Sequence, residues 1–304
     1  MPDERVTVAV GDRRLRLSNL DKVLYPTVGF TKGEVIDYYA AIAPILLPHL
    51  HGRPVTLRRY PDGVVGESFF EKDVSRHAPQ WVPTVRVETP GSSKGNESAN
   101  FVRVEDLPTL VWVANLAALE LHVPQWTVGP RGGKRKPDLL VFDLDPGPGT
   151  SIVECAALAV LIRDRLAEDG LAAYPKTSGS KGMQLYSPVT VSDAGQTSKY
   201  ARRIAEELAR QRPREVVATM ATAARRGKVL IDWSQNNPAK TTVAAYSLRG
   251  RDEPTVSTPL TWDEVELCSA PQNLVFTAQD VRHRMDTDGD LFADLHDKPV
   301  RLPG

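Results

Sequence analysis

The sequence lacks the features that define several classes of protein. Its 304 residues include two cysteines, Cys155 and Cys268, which are too few and too far apart for a disulfide framework or a structural zinc site. There is no run of about 18 apolar residues, so the pattern excludes a helical membrane span. The N-terminal letters MPDERVTVAV show no basic segment followed by an apolar one. We therefore expect no secretory signal and a reduced, cytoplasmic environment.

The chain also has no excess of charge of one sign. Lys+Arg and Asp+Glu both number 38, which gives a formal net charge of +0. Binding to phosphate groups depends on where charge is placed rather than on its sum, so this balance does not exclude a nucleic-acid partner. Basic residues do cluster, in segments 58–59, 131–136, 202–203, 212–214 and 225–228.

Hydrophobic spacing predicts alternating strands and helices, and therefore an α/β or α+β fold class. The predicted elements are a hairpin over 6–17, a helix over 32–47 that Pro48 ends, a strand over 53–60, an exposed loop over 90–98, a buried helix over 107–121, a basic loop over 127–138, a buried strand and sharp turn over 139–149, a helix over 151–169, two short strands over 171–190, a helix over 197–211, strands over 229–233 and 245–249, and a short helix over 261–267.

Two aspartates, Asp143 and Asp145, end the apolar run of the strand over 139–149. Side chains two residues apart on a strand point the same way, so these carboxylates share a face. Burying two carboxylates side by side is costly unless a cation joins them, and Mg²⁺ and Mn²⁺ prefer such oxygen ligands. A lone D-x-D before a turn is more often a solvated strand end.

A third carboxylate, Asp232, interrupts the apolar letters VLIDW. A charge inside an apolar strand needs a partner. One interpretation is a salt bridge to Arg225, Arg226 or Lys228, which are close in sequence. The other, which we favour because Asp143 and Asp145 are present, is a three-aspartate cluster that holds two divalent cations for phosphoryl chemistry.

The segment TSGSKG over 177–182 supplies groups that complement a metal-bound triphosphate. Its glycines let backbone N–H groups approach an anion, Ser178 adds a hydroxyl donor and Lys181 adds a positive charge. The spacing is not that of a P-loop, and taken alone such a segment is more often a flexible turn. Its position after the aspartates favours a phosphate site.

Two further residues are candidates for nucleotide contacts. Arg249 lies in a strand-like stretch and can grip a phosphate bidentately, and alternation would place Arg251 on the same face. His122 can donate to a sugar or phosphate. The ordinary alternatives are a solvated strand face, which we prefer for Arg251, and a core histidine.

Other candidates lie near the N-terminus. Asn19, Lys22 and Lys32 are positioned to form a pocket for a terminal phosphate, although ordinary surface lysines would give the same pattern. Phe69 and Phe70 are adjacent on a predicted strand, so they point to opposite faces and one must leave the core. An exposed phenylalanine can stack on a base or pack under a loop.

Seven motifs over residues 10–270 together resemble the polymerase domain of bacterial ATP-dependent DNA ligase D, and they occur in the same order as in that domain. This domain is a non-homologous end-joining polymerase of the archaeo-eukaryotic primase superfamily. The motifs are NLDKVLYP at 19–26, TKGEVIDYY at 31–39, ESFFEKD at 67–73, FDLDPGPG at 142–149, TSGSKGMQLY at 177–186, IDWSQN at 231–236 and TTVAAYSLR at 241–249.

The resemblance implies a primase-polymerase fold, with an RNA-recognition-like catalytic module and an N-terminal αβ module packed as one unit over 1–290, followed by a C-terminal tail over 291–304. It implies a template-directed nucleotidyltransferase that fills gaps and extends 3′ ends at DNA double-strand breaks, prefers ribonucleotides to deoxynucleotides and uses two Mn²⁺ (or Mg²⁺) ions. The implied partners are DNA with gaps or 3′ overhangs and a 5′-phosphate, nucleoside triphosphates, a Ku-like end-binding protein and a DNA ligase, in the cytoplasm at the nucleoid.

By position, the resemblance implies roles for individual residues: Asp143, Asp145 and Asp232 as catalytic metal ligands, Ser178, Lys181, Arg249 and His122 as nucleotide contacts, Asn19, Lys22 and Lys32 as the 5′-phosphate pocket, and Phe69 and Phe70 as template contacts. The chain carries no ligase lysine motif and no nuclease segment, so we expect either a stand-alone polymerase or the excised domain of a larger ligase.

Two alternatives stay open. A D-x-D phosphatase would use the first aspartate as a nucleophile, but it normally has Thr or Val two residues past the second, where Gly147 stands. A DNA-end or 5′-phosphate binding module without catalysis would use the lysines and aromatics alone, and it would leave the buried carboxylates unexplained.

Overall fold

A computed structural model describes residues 5–74, 78–89 and 97–304. The strands are β1 (Arg5–Val10), β2 (Arg13–Ser18), β3 (Val23–Tyr25), β4 (Phe30–Thr31), β5 (Thr56–Arg59), β6 (Phe69–Glu71), β7 (Thr84–Glu88), β8 (Ser98–Val102), β9 (Ala118–Val123), β10 (Trp126–Val128), β11 (Lys134–Pro137), β12 (Leu139–Pro146), β13 (Tyr174–Thr177), β14 (Met183–Thr190), β15 (Val216–Val217), β16 (Val229–Asp232), β17 (Thr242–Val243) and β18 (Val300–Arg301). The α-helices are α1 (Lys32–Ala41), α2 (Ala43–Leu50), α3 (Leu107–Asn115), α4 (Ile152–Glu168), α5 (Gln196–Gln211), α6 (Trp262–Glu266) and α7 (Ala278–Asp288). The loop predicted over 90–98 lies mostly outside the described residues.

The chain divides into two compact units. Unit 1 comprises residues 1–135, 243–256 and 277–289, and unit 2 comprises residues 136–242, 257–276 and 290–304. The predicted division into a domain over 1–290 and a tail over 291–304 stays a prediction. Within unit 2, the tail's strand β18 pairs in parallel with β14.

Unit 2 is built on a sheet in the order β13–β14–β12–β16–β15, with α4 between β12 and β13 and α5 between β14 and β15. The pairs β13–β14, β14–β12 and β12–β16 are antiparallel. This βαββαβ connectivity, with the first strand and the third side by side in the middle, is the ferredoxin-like arrangement to which RNA-recognition modules belong. The mixed α/β class and this catalytic module agree with the sequence analysis.

Alternation on β12 decides which side chains meet the helices of unit 2. Leu140, Phe142 and Leu144 are fully buried in the core formed with α4 and α5. Asp143 and Asp145 therefore project from the opposite face of the sheet. Helix α4 begins as predicted with Ser151 as N-cap, whose hydroxyl and backbone form a capping box with Glu154.

Unit 1 contains helices α1, α2, α3 and α7 and a sheet with the strand order β9–β5–β6. Buried tyrosines of this unit hold the later segment 243–256 in place. The hydroxyl of Tyr38 donates to the carbonyl of Tyr246 at 2.9 Å, and that of Tyr25 donates to the carbonyl of Arg249 at 2.9 Å. Burial raises the pKa of both phenols, so they stay protonated donors.

Two predicted helices are wrong in extent. The helix over 32–47 is interrupted at Ile42, because Pro44 carries no N–H to continue the ladder, and Pro48 lies inside α2 rather than ending it. The helix over 107–121 stops at Asn115, and β9 follows from Ala118. Both faces of β9 are largely buried, so its sequence lacks the alternation that marks a strand.

Two other predictions also differ from the structure. The basic loop over 127–138 contains β11, which pairs with β10 as a two-stranded sheet. The strand over 245–249 is absent from the described chain, where Leu248 forms an isolated bridge to Val256 and Tyr246 has a positive φ of 64°. In the part of the chain that the structure describes, no helix is both long and apolar enough to cross a membrane.

Candidate active site

The pairing of β12 with β16 assembles three carboxylates in unit 2. Asp143 lies directly opposite Asp232 in the antiparallel register, and Asp145 lies two residues further along the same face of β12. Oxygen atoms of the three carboxylates all lie within 4.8 Å of one another. The structure therefore brings the three predicted aspartates together in one cluster.

Asp232 is held by its own turn rather than by the basic residues beside it in sequence. Its Oδ1 accepts from the backbone N–H of Ser234 at 3.0 Å, and its Oδ2 accepts from Nε2 of Gln235 at 2.9 Å. Its ion-pair partner is Lys240, with Nζ at 4.0 Å. These bonds cap the short 3₁₀ turn after β16 and fix the carboxylate in place.

The electrostatics of the cluster favour a cation. Burial, followed by repulsion from Asp145, raises the pKa of Asp143 to about 7, although the hydrogen bond from Gln184 opposes this shift. Burial and the charge of Asp232 likewise raise the pKa of Asp145, against the attraction of Arg225. Both pKa shifts mean that burial and mutual repulsion disfavour the ionised carboxylates, and a divalent ion would relieve this cost. The three oxygen donors fit Mg²⁺ or Mn²⁺.

The turn between β13 and β14 lies against this strand. The backbone N–H of Ser178 donates to the carbonyl of Gly182 at 2.9 Å, and the N–H of Gly182 returns a bond to the Ser178 hydroxyl at 3.2 Å. A Cβ on Gly182 would lie 2.1 Å from the carbonyl oxygen of Leu144, between the two aspartates. Lys181 at the tip is exposed, and Gly179 has a positive φ of 66°. This turn is therefore ordered and adjacent to the carboxylates.

Gly147, just past the aspartates, is packed against the loop over 225–228. Its N–H donates to the carbonyl of Lys228 at 2.9 Å. A Cβ at this position would lie 1.9 Å from the carbonyl oxygen of Arg225. The Thr or Val that D-x-D phosphatases carry here has no space in this backbone.

In unit 1, His122 and Arg249 converge on a carboxylate that the sequence analysis missed, Glu120. His122 Nε2 lies 2.8 Å from Glu120 Oε2, and Arg249 Nε lies 3.5 Å from the same oxygen. The hydroxyl of Tyr60 donates to Oε1 at 2.8 Å, and the N–H of Gly250 donates to it at 3.1 Å. The letters LELH carried a usable signal, because residues two apart on β9 share a face.

The surroundings favour the charged form of Glu120 but disfavour the charged form of His122. Although burial alone would raise it, the pKa of Glu120 falls well below its usual range because of the His122 hydrogen bond and the charge of Arg249. Burial lowers the pKa of His122, against the attraction of Glu120. Glu120 is 2% exposed, so its carboxylate is a buried anion balanced by partners of unit 1.

Both predicted template aromatics are exposed, whereas only one was expected to leave the core. Phe69 and Phe70 are 45% and 47% exposed on the edge strand β6. The Arg59 guanidinium lies 5.3 Å from the Phe69 ring, and that of Arg58 lies 5.4 Å from the Phe70 ring. The Phe70 ring also contacts His122 edge-on, with centroids 5.4 Å apart. Unit 1 therefore presents aromatic faces beside arginines.

Asn19, Lys22 and Lys32 are neighbours in unit 1, joined by backbone bonds from Lys22 to Asn19 and from Lys32 to Lys22. Asn19 adopts a positive φ of 53°, which asparagine tolerates better than most residues. The Lys22 ammonium lies 2.7 Å from Asp62 and is accessible. Lys32 is 6% exposed, and its ammonium donates to the Ser18 carbonyl at 2.6 Å.

Comparisons with known proteins identify the family to which this architecture belongs. The sequence model of the family described as LigD, primase-polymerase domain, matches residues 31–292. The multifunctional non-homologous end joining protein LigD of Mycolicibacterium smegmatis is 44% identical over 292 residues, covering 94% of this chain and 37% of that protein. The bifunctional LigD of Bacillus subtilis is 33% identical, covering 95% of this chain and 45% of that protein.

A solved structure gives the same result for the fold. The polymerase domain of Mycobacterium tuberculosis ligase D, solved in complex with DNA, superposes with a TM-score of 0.87 at 40% identity, covering 93% of this chain and 98% of that one. The fold is thus that of a primase-polymerase nucleotidyltransferase. The chain belongs to the LigD primase-polymerase domain family. It spans less than half the length of the curated relatives described above.

Proposed function

We propose that this chain extends 3′ ends and fills gaps at DNA double-strand breaks during bacterial non-homologous end joining. It adds nucleotides directed by a template and prefers ribonucleotides to deoxynucleotides. Its substrates are gapped or 3′-overhanging DNA with a 5′-phosphate and nucleoside triphosphates. It works beside a Ku-like end-binding protein and a DNA ligase, in the cytoplasm at the nucleoid.

The observation that carries this proposal is the cluster of Asp143, Asp145 and Asp232, with oxygens within 4.8 Å in a member of a polymerase family. Two divalent ions bound there, Mn²⁺ or Mg²⁺, would align the primer 3′-hydroxyl and neutralise the departing pyrophosphate. The three side chains lie on two adjacent strands and would hold these ions, and the bonds that cap Asp232 limit its movement.

In unit 2, the turn over 177–182 binds phosphate groups of the nucleotide. In unit 1, Arg249 and His122 are also nucleotide contacts. The Ser178 hydroxyl and Lys181 ammonium donate to phosphate oxygens, and the turn's internal hydrogen bonds hold these donors in place before the nucleotide arrives. Glu120 restrains Arg249 and His122 in unit 1 by contacts at 3.5 Å and 2.8 Å.

Asn19, Lys22 and Lys32 bind the 5′-phosphate of the downstream strand, and Phe69 and Phe70 stack on template bases. The exposure of both aromatics supports the second role. Accessible Lys22 supports the first, whereas buried Lys32 reaches a phosphate only by exchanging its bond to Ser18. Such contacts position DNA without reading sequence, and binding weakens with salt.

Primer extension on a gapped duplex tests the function. We expect Mn²⁺-dependent lengthening of a labelled primer, faster with ribonucleotides than deoxynucleotides, and faster when the downstream strand carries a 5′-phosphate. Asp143→Ala and Asp232→Ala should abolish incorporation yet leave DNA binding largely intact, because the aspartates hold ions rather than DNA. Asp286→Asn, at an exposed helix position, is the control for loss of an acidic side chain.

The alternatives predict other outcomes. Release of inorganic phosphate without primer lengthening would indicate a phosphatase, whose Thr or Val position Gly147 occupies here. DNA binding with no incorporation in any divalent ion would indicate a binding module. Normal extension by either aspartate variant would refute the metal cluster.

A further inference from the structure

The catalytic carboxylates belong to a longer row of polar side chains across the sheet of unit 2. Asp232 on β16 lies opposite Asp143 on β12, Asp143 lies opposite Gln184 on β14, and Gln184 lies opposite Lys176 on β13. Directly opposed residues share one face of a sheet. The row therefore continues past the three aspartates to Gln184 and Lys176, to which the family resemblance assigned no role.

Gln184 makes a defined contact with the metal-binding group. Its Nε2 donates to Oδ1 of Asp143 at 2.9 Å. In the described part of the chain, this is the one hydrogen bond that the Asp143 carboxylate accepts. It leaves Oδ2 without a side-chain or backbone donor, and therefore available to an ion.

The orientation of the Gln184 amide is determined by its other end. The hydroxyl of Tyr186 donates to Oε1 of Gln184 at 3.1 Å, and that hydroxyl also lies 2.7 Å from Oγ1 of Thr242. A chain of donors thus runs from Thr242 through Tyr186 to Gln184 and on to Asp143. The first three residues are buried, so turning the amide over would break two bonds away from water.

Lys176 places a positive charge at the far end of the row. Its side chain is buried, its Nζ donates to the Ser257 hydroxyl at 2.5 Å, and it lies 5.6 Å from the centre of the Tyr186 ring. Its charge favours the ionised form of Asp143, opposing the rise in pKa that burial causes.

We propose that Gln184 is a positioning residue for the metal ligand Asp143: its amide, oriented by Tyr186 and Thr242, holds Oδ1 and presents Oδ2 to the divalent ion. The inference rests on the proposed function, since it concerns the same metal site. Groups that bond to metal ligands in this way typically change metal affinity by about 10- to 100-fold when removed.

Titration of the full chain with Mn²⁺ by isothermal calorimetry tests this. Gln184→Met keeps the length of the side chain but removes the donor, and it should raise the Kd for Mn²⁺ about 10-fold. Tyr186→Phe removes only the hydroxyl and should raise it about 5-fold. The double variant should be no weaker than Gln184→Met, because Tyr186 acts through Gln184. Gln211→Met, at an exposed glutamine of α5, is the matched control.

Wild-type Mn²⁺ affinity in Gln184→Met, with melting unchanged, would overturn the proposal. Equal and additive losses from the two variants would also overturn it, because they would show that Tyr186 does not orient the amide. Should Gln184→Met fail to fold, Tyr186→Phe against wild type carries the test alone. If Asp143→Asn binds Mn²⁺ as tightly as wild type, the proposed metal site itself is refuted. If Asp143→Asn loses Mn²⁺ affinity while Gln184→Met keeps it, only the role of Gln184 is refuted.

Discussion

Gly182 offers a sharp test of how the turn over 177–182, which we propose binds phosphate, is attached to the strand that carries the aspartates. A Cβ at this position would lie 2.1 Å from the backbone oxygen of Leu144 and 3.2 Å from the ring of Pro146. Comfortable carbon–oxygen contacts begin at about 3.3 Å. Gly182→Ala therefore requires the turn and β12 to separate by roughly 1 Å, and neither backbone can move aside as a flexible side chain would.

The expected cost follows from that displacement. Overpacking by a single methyl in a close-packed region costs about 1–3 kcal/mol, and a clash of that methyl with a backbone carbonyl belongs at the upper end. At about 2–4 °C per kcal/mol, Gly182→Ala should lower the melting temperature by roughly 6–12 °C. Because Ser178 bonds to both the N–H and the carbonyl of Gly182, nucleotide incorporation should fall as well.

Thermal melting followed by circular dichroism, together with single-nucleotide incorporation at a temperature below both transitions, measures the two effects. Gly133→Ala is the matched control, since a Cβ there meets nothing within 4 Å. The reasoning is refuted if Gly182→Ala melts at the same temperature as wild type and Gly133→Ala, because the turn and β12 would then not be in contact.

Three further predictions follow from other contacts. Glu120→Gln should destabilise the protein to urea by about 3 kcal/mol near neutral pH, since the Arg249 guanidinium loses its anion. Because the folded pKa of Glu120 lies below its unfolded value, this loss should shrink as pH falls below about 4.5, and a constant loss would contradict the assignment. Lys22→Ala should abolish the stimulation of primer extension by a 5′-phosphate while Lys199→Ala retains it; equal stimulation in both would exclude Lys22 from the phosphate pocket. Phe70→Ala should weaken binding to gapped DNA about 10-fold in fluorescence anisotropy, whereas Val65→Ala, also exposed, should not; unchanged binding would rule out stacking.

The carboxylate cluster could be anticipated because its signal is local. A strand has a period of two, so Asp143 and Asp145 stand out from an apolar run on one face. Asp232 stood out in the same way within VLIDW. That it pairs directly with Asp143 is set by the register of β12 and β16, which are distant in sequence, and no local pattern encodes that register.

The partners of the site were harder to predict. Gln184 looked like an ordinary polar residue in a strand, and its role depends on Asp143 lying opposite in the sheet. The segment with Arg249 was expected to be a strand. In the structure the carbonyl of Arg249 accepts from the hydroxyl of Tyr25, and the N–H of Gly250 donates to the carboxylate of Glu120. Side chains from elsewhere in the fold thus override its β propensity.

The direct opposition of Asp143 and Asp232 has a consequence for how the protein reaches its working form. A shift of β16 by one residue would turn Asp232 to the helix side of the sheet and bring Ile231 to the aspartate side. Such a misaligned molecule would have two ligands instead of three and would bind the ion weakly. If the cluster binds divalent ions as proposed, ions present during folding should therefore favour the molecules in which β12 and β16 are correctly aligned.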